Sequence, residues 1–282
     1  MQDSGDIRVV QTEQDLLSAG AATRMAALLN WPDQPGPGDA IPAPWLWMLF
    51  QPSPTASRTG SDGHPRTGGF LPDTGLPRRM WAASRVQQAG VFRVGEQLTR
   101  RSLVERVEQK SGRSGRLCFV TVRHELESLA GATLEEVQTL VYREAPTGAQ
   151  QRPTAEERSA LGEMDWEEPW EVDPVTLFRY SALTYNSHRI HYDLPYATGV
   201  EGYPGLVVHG PLMATVLFDA HRRHHPGAEQ NSWDFRAMRP VFAGRPLTLC
   251  CIQGDNGSTL RVLDEDRQPA FELNIRPDPS HA

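Results

Sequence analysis

The sequence predicts an α+β protein made of two similar units, each an antiparallel sheet packed with a helix. Strand-like runs separated by short Gly, Ser or Lys turns fill two stretches of the chain. Apolar residues recur at helical spacing in other stretches. The segment at 91–99 is similar to the one at 241–248, and two or three further strands follow each of them. Such a repeat indicates duplication of one sheet-plus-helix unit.

Composition is typical of a globular protein and excludes several classes of partner. The chain has 282 residues, 39% of them apolar, and a net charge of −7. This mild acidity argues against nucleic acid, which basic surfaces bind. The longest apolar run, Leu212–Phe218, is too short to cross a bilayer, and the polar start Met1–Arg8 lacks the pattern of a signal peptide. We expect a cytoplasmic protein with no membrane partner. Its three cysteines, Cys118, Cys250 and Cys251, are predicted to be buried apolar residues.

The first unit is predicted to span residues 1–150. Thr12 can cap a helix that runs to Leu29 and ends at Trp31-Pro32. Ten of the 23 prolines follow between Pro32 and Pro77, a density that forbids long helices and central strands. Four strands are expected over residues 80–86, 98–109, 117–127 and 137–143.

The second unit is predicted to span residues 174–282, after an acidic linker at 151–173. A helix opens it at Pro174, and a histidine-rich loop comes next. A second helix is expected from Pro211 to His224. Three strands then follow over residues 246–253, 258–264 and 270–275. The helix-end histidines, His221, His224 and His225, fit a structural role because cations are favoured at a helix C-terminus.

The histidine-rich loop at 180–193 is the densest set of functional side chains. His188 and His191 are three residues apart, with Asp193 beyond them, which is a weak metal signal, and we expect no metal. Acid–base chemistry is the better interpretation because imidazole titrates near neutral pH. The alternative is that these histidines only satisfy hydrogen bonds in a polar loop.

A second feature is the segment 205–211, which ends in Gly210-Pro211 directly before the apolar helix. Pro211 is a favoured first helical residue. The free N–H groups at this positive helix end suit a developing oxyanion. An ordinary capped helix is the alternative. A histidine loop beside such a helix end indicates proton transfer next to a polarised carbonyl.

These motifs carry a family resemblance. Residues 178–193 and 202–211 together resemble the hydratase signature of the MaoC-like enzymes. The first unit is similar to a subgroup with an N-terminal dehydratase-like unit, through Asp62-Gly63-His64-Pro65 and the segments at 68–72, 77–82 and 110–115. That subgroup includes mesaconyl-C4-CoA hydratases, itaconyl-CoA hydratases and mitochondrial 3-hydroxyacyl-thioester dehydratases. The resemblance implies a double hotdog, in which two antiparallel sheets each wrap a long helix.

The resemblance also implies roles for the catalytic loop. The family motif has an Asp, an Asn two residues later and a His three beyond that, and this chain has Asn186, His188 and His191 there. Because an amide cannot accept a proton, His191 is expected to be the main acid–base residue. Asn186 would orient water, His188 would assist, and the Gly210 amide would hold the thioester carbonyl. Asp193 either orients His191 or caps a helix.

The reaction implied is addition of water to an enoyl-CoA, with no cofactor. A branched C5 dicarboxyl thioester fits best, with mesaconyl-C4-CoA or itaconyl-CoA giving citramalyl-CoA in the breakdown of itaconate or mesaconate. Arg189 or Arg79 would grip the free carboxylate, because guanidinium binds carboxylates bidentately. Tyr185, His209 and His64 are the other expected substrate contacts. The proline-rich segment is expected to cover the acyl pocket.

Three other functions stay open. The chain could act on unbranched fatty acyl thioesters, bind acyl-CoA without catalysis, or hydrolyse a thioester. The third is disfavoured because no Asp or Glu stands ahead of His191 in the loop. A homodimer is expected.

Overall fold

A computed structural model describes residues 10–112, 115–144 and 163–277, and these form one antiparallel sheet with helices on it. The strands are β1 Val10–Leu16, β2 Arg78–Ala89, β3 Gln97–Gly112, β4 Gly115–Ser128, β5 Thr133–Arg143, β6 Trp166–Trp170, β7 Ser232–Ala237, β8 Leu247–Gly254, β9 Gly257–Leu263 and β10 Pro269–Arg276. The helices are α1 Ala19–Leu28, α2 Pro174–Leu183, α3 Leu194–Gly199 and α4 Gly210–His224, with 3₁₀ turns at Ala43–Met48, Ala56–Arg58 and Arg189–His191.

The strand order confirms the duplication. Across the sheet it is β1-β3-β4-β5-β2-β7-β10-β9-β8-β6. Each half therefore repeats one topology, in which the first strand lies at the outer edge and the second at the inner edge. The inner edges β2 and β7 pair from Ala83↔Arg236 to Gln87↔Ser232, so the two predicted sheets are continuous. The repeated segments hold Gly95 and Gly244, both at positive φ, before β3 and β8. The predicted double hotdog is confirmed.

The core centres on α4, which packs on β8, β9 and β10. Its sequence places Leu212, Leu217 and Phe218 on the buried side, and all three are almost fully inaccessible to solvent. Burying side chains of this size stabilises the fold by roughly 2 kcal/mol each. Trp233 and Phe235 of β7 meet this core from alternate positions of one strand. All three cysteines are free and buried, as expected.

The first predicted helix is wrong at its start. Residues Val10–Leu16 form strand β1, which pairs with β3, and their exposure alternates along the strand. Helix α1 begins only after Ser18, whose Oγ accepts a hydrogen bond from the Ala21 N–H at 3.2 Å. This segment is a strand because it pairs with the distant strand β3. The spacing of apolar residues along the sequence does not show that pairing.

The predicted linker is only partly described. Residues 151–162 lie outside the described part of the chain, while Trp166–Trp170 is the edge strand β6, paired with β8. Strand β7 and helix α3 were not predicted. The division into units at 1–150 and 174–282 stays a prediction. Among the described residues, no helix has both the length and the apolarity needed to cross a membrane.

The two halves differ in what covers their sheets. The second half has the 15-residue helix α4. Between β1 and β2, the first half has the 10-residue α1, two 3₁₀ turns and the proline-rich segment. A cavity of about 1450 Å³ remains, with walls from the first-half sheet, the second-half loops and the proline-rich segment. Pro52, Pro54, Pro65 and Pro77 line it, which agrees with the predicted cover.

Candidate active site

Four histidine rings form a row along the cavity wall. Ring centroids are 4.0 Å apart from His64 to His188, 5.4 Å from His188 to His191 and 3.6 Å from His191 to His209. His64 comes from the first half and the other three from the second. We call this set the histidine row. The structure thus brings together four of the predicted site residues.

His191 is held in the tautomer that a base requires. Its Nδ1 lies 2.7 Å from the Val207 carbonyl oxygen. Because a carbonyl only accepts, Nδ1 carries the hydrogen and the lone pair is left on Nε2. The residue is only 7% exposed. Burial lowers its pKa to about 4, although the bond to Val207 acts in the opposite direction. His191 is therefore a neutral hydrogen-bond acceptor at pH 7.

His188 and Asn186 stand next to this base. The Asn186 Oδ1 accepts a hydrogen bond from the His188 backbone N–H at 3.0 Å, and both residues line the cavity. Burial lowers the pKa of His188 strongly, and the neighbouring His64, His191 and Arg79 lower it further. His188 therefore stays neutral, and it can hold water but does not carry a resting charge.

His209 is a buried residue whose ring packs against that of His191. It is 1% exposed, its Nε2 lies 2.8 Å from the Ser181 Oγ, and its ring stacks on that of His191. Burial lowers its pKa. Tyr185 is at the opposite extreme, because it is 55% exposed, at the cavity edge, with a φ of 49°. Both residues line the cavity, and their contact with a substrate stays a prediction.

The start of α4 faces the cavity. Helix α4 begins at Gly210, one residue earlier than predicted, and Pro211 is its second residue. The N–H of a first helical residue has no acceptor within its own helix, and it lies at the positive end of the helix dipole. Gly210 lines the cavity, and a Cβ there would come within 3.9 Å of the Trp81 carbonyl oxygen. The Gly210 amide is free to polarise a bound carbonyl.

The first-half motif Asp62-Gly63-His64 docks directly on the catalytic loop. The Asp62 Oδ2 lies 2.9 Å from the His64 Nδ1. Gly63 has a φ of 92°, and a Cβ there would lie 1.8 Å from the Ser187 carbonyl oxygen. The Arg189 N–H donates to the Asp62 carbonyl oxygen at 2.8 Å. Only glycine permits this approach, so the first half completes the site.

Arg189, predicted to bind the substrate carboxylate, is already paired within the protein. It does not line the cavity. Its guanidinium donates to the Asp193 carboxylate at 2.7 and 3.0 Å and to the Ser61 carbonyl oxygen at 3.0 Å. It also lies 4.1 Å over the ring of Tyr196. Arg189 therefore ties the catalytic loop to the first-half motif.

Asp193 does not orient His191. Its Oδ1 accepts from the Tyr196 N–H at 3.1 Å and so caps α3, while its Oδ2 binds Arg189. The Val207 carbonyl performs the orientation instead. Of the two roles left open for Asp193, the structure selects the cap.

Arg79 is the predicted arginine that does face the cavity. Among the described residues it forms no ion pair within 4.0 Å. Its positive charge lowers the pKa of both His64 and His188, after the larger effect of burial. The charge also lowers the pKa of Asp62, but with no ion pair among the described residues the guanidinium is placed to bind an anionic group of a ligand.

Three polar side chains line the cavity on the first-half sheet, a feature that the sequence did not indicate. Ser102, His124 and Glu136 lie side by side across β3, β4 and β5 and line the cavity. Ser102 Oγ is 2.7 Å from His124 Nδ1. Glu136 accepts hydrogen bonds from Ser84 Oγ at 2.6 Å and Trp47 Nε1 at 3.2 Å, and burial raises its pKa.

Two groups in the described residues bring metal-ligand atoms within 4.8 Å of each other. One is Asp62, His64 and His188, and the other is Asp165, His225 and Cys251 at the far end of α4. In the first group, the Asp62–His64 hydrogen bond and the stacked rings already account for the proximity.

Comparison with known proteins identifies the family. The family model for hydroxyacyl-thioester dehydratase type 2 matches residues 44–243, a span that includes both the first-half motif and Gly210. The chain belongs to this family. It is 40% identical over 276 residues to the mesaconyl-C(4)-CoA hydratase of Chloroflexus aurantiacus, with 95% of each chain covered. The protein is therefore a hydro-lyase of acyl thioesters.

Solved structures agree on the fold. HtdX of Mycobacterium tuberculosis superposes with a TM-score of 0.66 at 18% identity, covering 96% of this chain and 100% of that one. A second M. tuberculosis protein, described as a double hotdog fold, has a TM-score of 0.57 at 14% identity, covering 95% of this chain and 94% of its own. This family member thus keeps the double hotdog, with the histidine row between its halves.

Proposed function

We propose that this enzyme reversibly hydrates a branched C5 dicarboxyl CoA thioester. Mesaconyl-C4-CoA, itaconyl-CoA or both would give citramalyl-CoA, in the breakdown of mesaconate or itaconate. The observation that carries the proposal is the combination of a neutral base, His191, a free helix-end amide, Gly210, and a cation, Arg79, on one cavity. The 40% identical relative named mesaconyl-C(4)-CoA hydratase supports this substrate class.

The proposed reaction starts with water held against the His191 Nε2. His191 takes a proton from the water as its oxygen bonds to the β carbon. The electron pair of the double bond moves to the thioester carbonyl, and the Gly210 amide stabilises the enolate oxygen. Loss of one such donor typically costs ~3 kcal/mol of transition-state stabilisation. The proton then passes from His191 to the α carbon, so one water is added and the histidine is neutral again.

Arg79 supports a dicarboxyl substrate. In mesaconyl-C4-CoA the free carboxylate is attached to the β carbon, where the water adds. A cation that binds this carboxylate must therefore lie close to the catalytic base. Arg79 lines the same cavity as His191, and its charge acts on His64 and His188 of the histidine row.

Itaconyl-CoA demands one further step, because its double bond lies one carbon farther from the thioester. Forming a β-hydroxy product from it requires protonation of the terminal carbon, for which His191 or His188 would serve. Mesaconyl-C4-CoA needs only the simple addition.

The second candidate is a dehydratase for unbranched 3-hydroxyacyl thioesters. Its support is the family model and a match of 40% identity over 85 residues to a mitochondrial hydroxyacyl-thioester dehydratase of Schizosaccharomyces pombe, covering 29% of this chain.

A substrate comparison separates the two candidates. Purified enzyme is assayed with mesaconyl-C4-CoA, itaconyl-CoA and crotonyl-CoA, and free CoA is measured in parallel to detect thioester hydrolysis. We expect kcat/KM to be highest for a C5 dicarboxyl thioester. Activity confined to crotonyl-CoA would refute the proposal, and CoA release would indicate a thioesterase. A homodimer is also proposed, and light scattering of the purified chain tests it.

A further inference from the structure

One carboxylate ends the histidine row. Asp62 Oδ2 is hydrogen-bonded to His64 Nδ1 at 2.9 Å, and Asp62 Oδ1 accepts from the His64 backbone N–H at 3.0 Å. Burial alone would raise the pKa of Asp62, but its bonds with His64 hold that pKa below the usual range. Among the described residues, no other carboxylate is hydrogen-bonded to the row. Asp62 is thus the anion of the site at neutral pH.

The proposed reaction needs such an anion. When His191 takes a proton, a positive charge appears in a buried place where only the Val207 carbonyl faces its Nδ1. Arg79 is a second positive charge nearby, and its charge also acts on Asp62, whose pKa it lowers. The other rings, His188 and His209, are buried and offer dipoles only. An unpaired buried charge is costly.

The second-half loop does not supply the counter-charge. Asn186 is neutral at the position where the family resemblance implies an Asp. Asp193, the carboxylate of that loop, is bound to Arg189 and caps α3. The carboxylate hydrogen-bonded to the histidine row therefore comes from the first half, as Asp62.

The docking of the first-half motif fixes this arrangement. Gly63 packs directly against the Ser187 carbonyl oxygen, and Ser187 Oγ donates a hydrogen bond to the Gly63 carbonyl oxygen. The Arg189 N–H donates to the Asp62 carbonyl oxygen at 2.8 Å. His64 is consequently held with its ring on His188.

We propose that Asp62 is a positioning residue for the hydration reaction, acting through His64. It sets the His64 tautomer, with hydrogen on Nδ1 and a lone pair on Nε2, and its charge stabilises the imidazolium that forms in the histidine row. The proton itself travels from water to His191 and back to the α carbon, and Asp62 stays ionised throughout. This inference rests on the proposed hydratase function.

The experiment measures kcat and KM for Asp62→Asn, His64→Ala and the double variant with the best substrate of the wild-type enzyme. Asn keeps the side-chain volume and an oxygen that accepts from the His64 backbone N–H. It removes the negative charge, and its amide would donate to the His64 Nδ1 where the carboxylate accepts from it. Asp73→Asn is the matched control, because Asp73 makes the same type of turn with the Gly75 N–H at 3.0 Å and does not line the cavity. Thermal unfolding of each variant is followed in parallel.

We expect Asp62→Asn to lower kcat about tenfold, the effect of one unit charge acting over roughly 12 Å, the length of the row from Asp62 to His191, at an effective dielectric constant of ~20. KM should stay within about twofold, and the loss of kcat in the double variant should be smaller than the product of the two single losses, since coupled residues are not additive. Asp73→Asn should match the wild type. If Asp62→Asn does not fold, Asp62→Ser replaces it, because it keeps a turn oxygen without charge.

Three results would overturn the inference. The first is a normal kcat in folded Asp62→Asn. The second is multiplication of the two single losses in the double variant. The third is loss of wild-type activity on treatment with EDTA and its return with Zn²⁺, which would assign Asp62, His64 and His188 to a metal. A wild-type enzyme without hydratase activity would refute the proposed function instead, so the two failures are distinguishable.

Discussion

Replacing Arg79 by Met tests substrate selection most sharply. Met has a similar length and apolar stem but no charge, so it removes the guanidinium and keeps packing on β2. A hydrogen bond to a charged group contributes about 2 kcal/mol, which corresponds to a loss of ~30-fold at 1.36 kcal/mol per decade. This loss applies only to a substrate with a free carboxylate.

The assay for this variant compares kcat/KM for mesaconyl-C4-CoA and crotonyl-CoA. We expect about a 30-fold decrease for the diacid thioester and a change below about threefold for crotonyl-CoA, which has no carboxylate to lose. Arg85→Met is the control, because Arg85 lies on the same strand, is exposed and does not line the cavity. Equal losses with both substrates, or no loss with the diacid, would refute the assigned role of Arg79.

Two further predictions follow from the packing and the pKa values. Gly63→Ala places a Cβ 1.8 Å from the Ser187 carbonyl oxygen at a φ of 92°. We therefore expect a loss of folding stability above about 1 kcal/mol and near-complete loss of activity, which thermal unfolding and kcat measure. A stable and fully active variant would contradict the docking of Gly63 on Ser187. Burial lowers the pKa of His191 to about 4 from its ordinary 6.5. The base is thus neutral above that value, and kcat/KM should hold at pH 5 and fall only as the pH drops through about 4, whereas a fall centred at 6.5 would show that another group is the base.

The fold was largely predictable because its signals are local or repeated. The repeat at 91–99 and 241–248 marks the same turn before β3 and β8, and Gly95 and Gly244 both have positive φ there. Strand β1 was mistaken for helix because Leu16 and Leu17 fit a helical pattern as well, and only the distant pairing with β3 decides it. No local pattern reveals such a partner.

The site residues that belong to a continuous sequence motif were predictable. His188, His191 and Gly210 were named from their motifs and meet at one cavity. The orienting group of His191 was missed because it is a backbone carbonyl, Val207, which no side-chain pattern shows. The pairing of Arg189 with Asp193 was not predicted, because sequence does not tell whether an arginine is already paired.

Asp62 was overlooked for a related reason. It stands in the motif that contains His64, and the motif itself was recognised. Its closeness to the second-half loop depends on how the two halves dock, which spacing along the chain cannot show.

Product analysis of the wild-type enzyme and of His191→Ala is the decisive test of hydration by His191. Mesaconyl-C4-CoA is supplied, and formation of citramalyl-CoA is followed by mass spectrometry and by coupling to citramalyl-CoA lyase. We predict citramalyl-CoA from the wild type and a decrease of at least ~100-fold in kcat for folded His191→Ala, the lower range for a general base. No citramalyl-CoA from the wild type, or equal rates for the two proteins, would contradict the account.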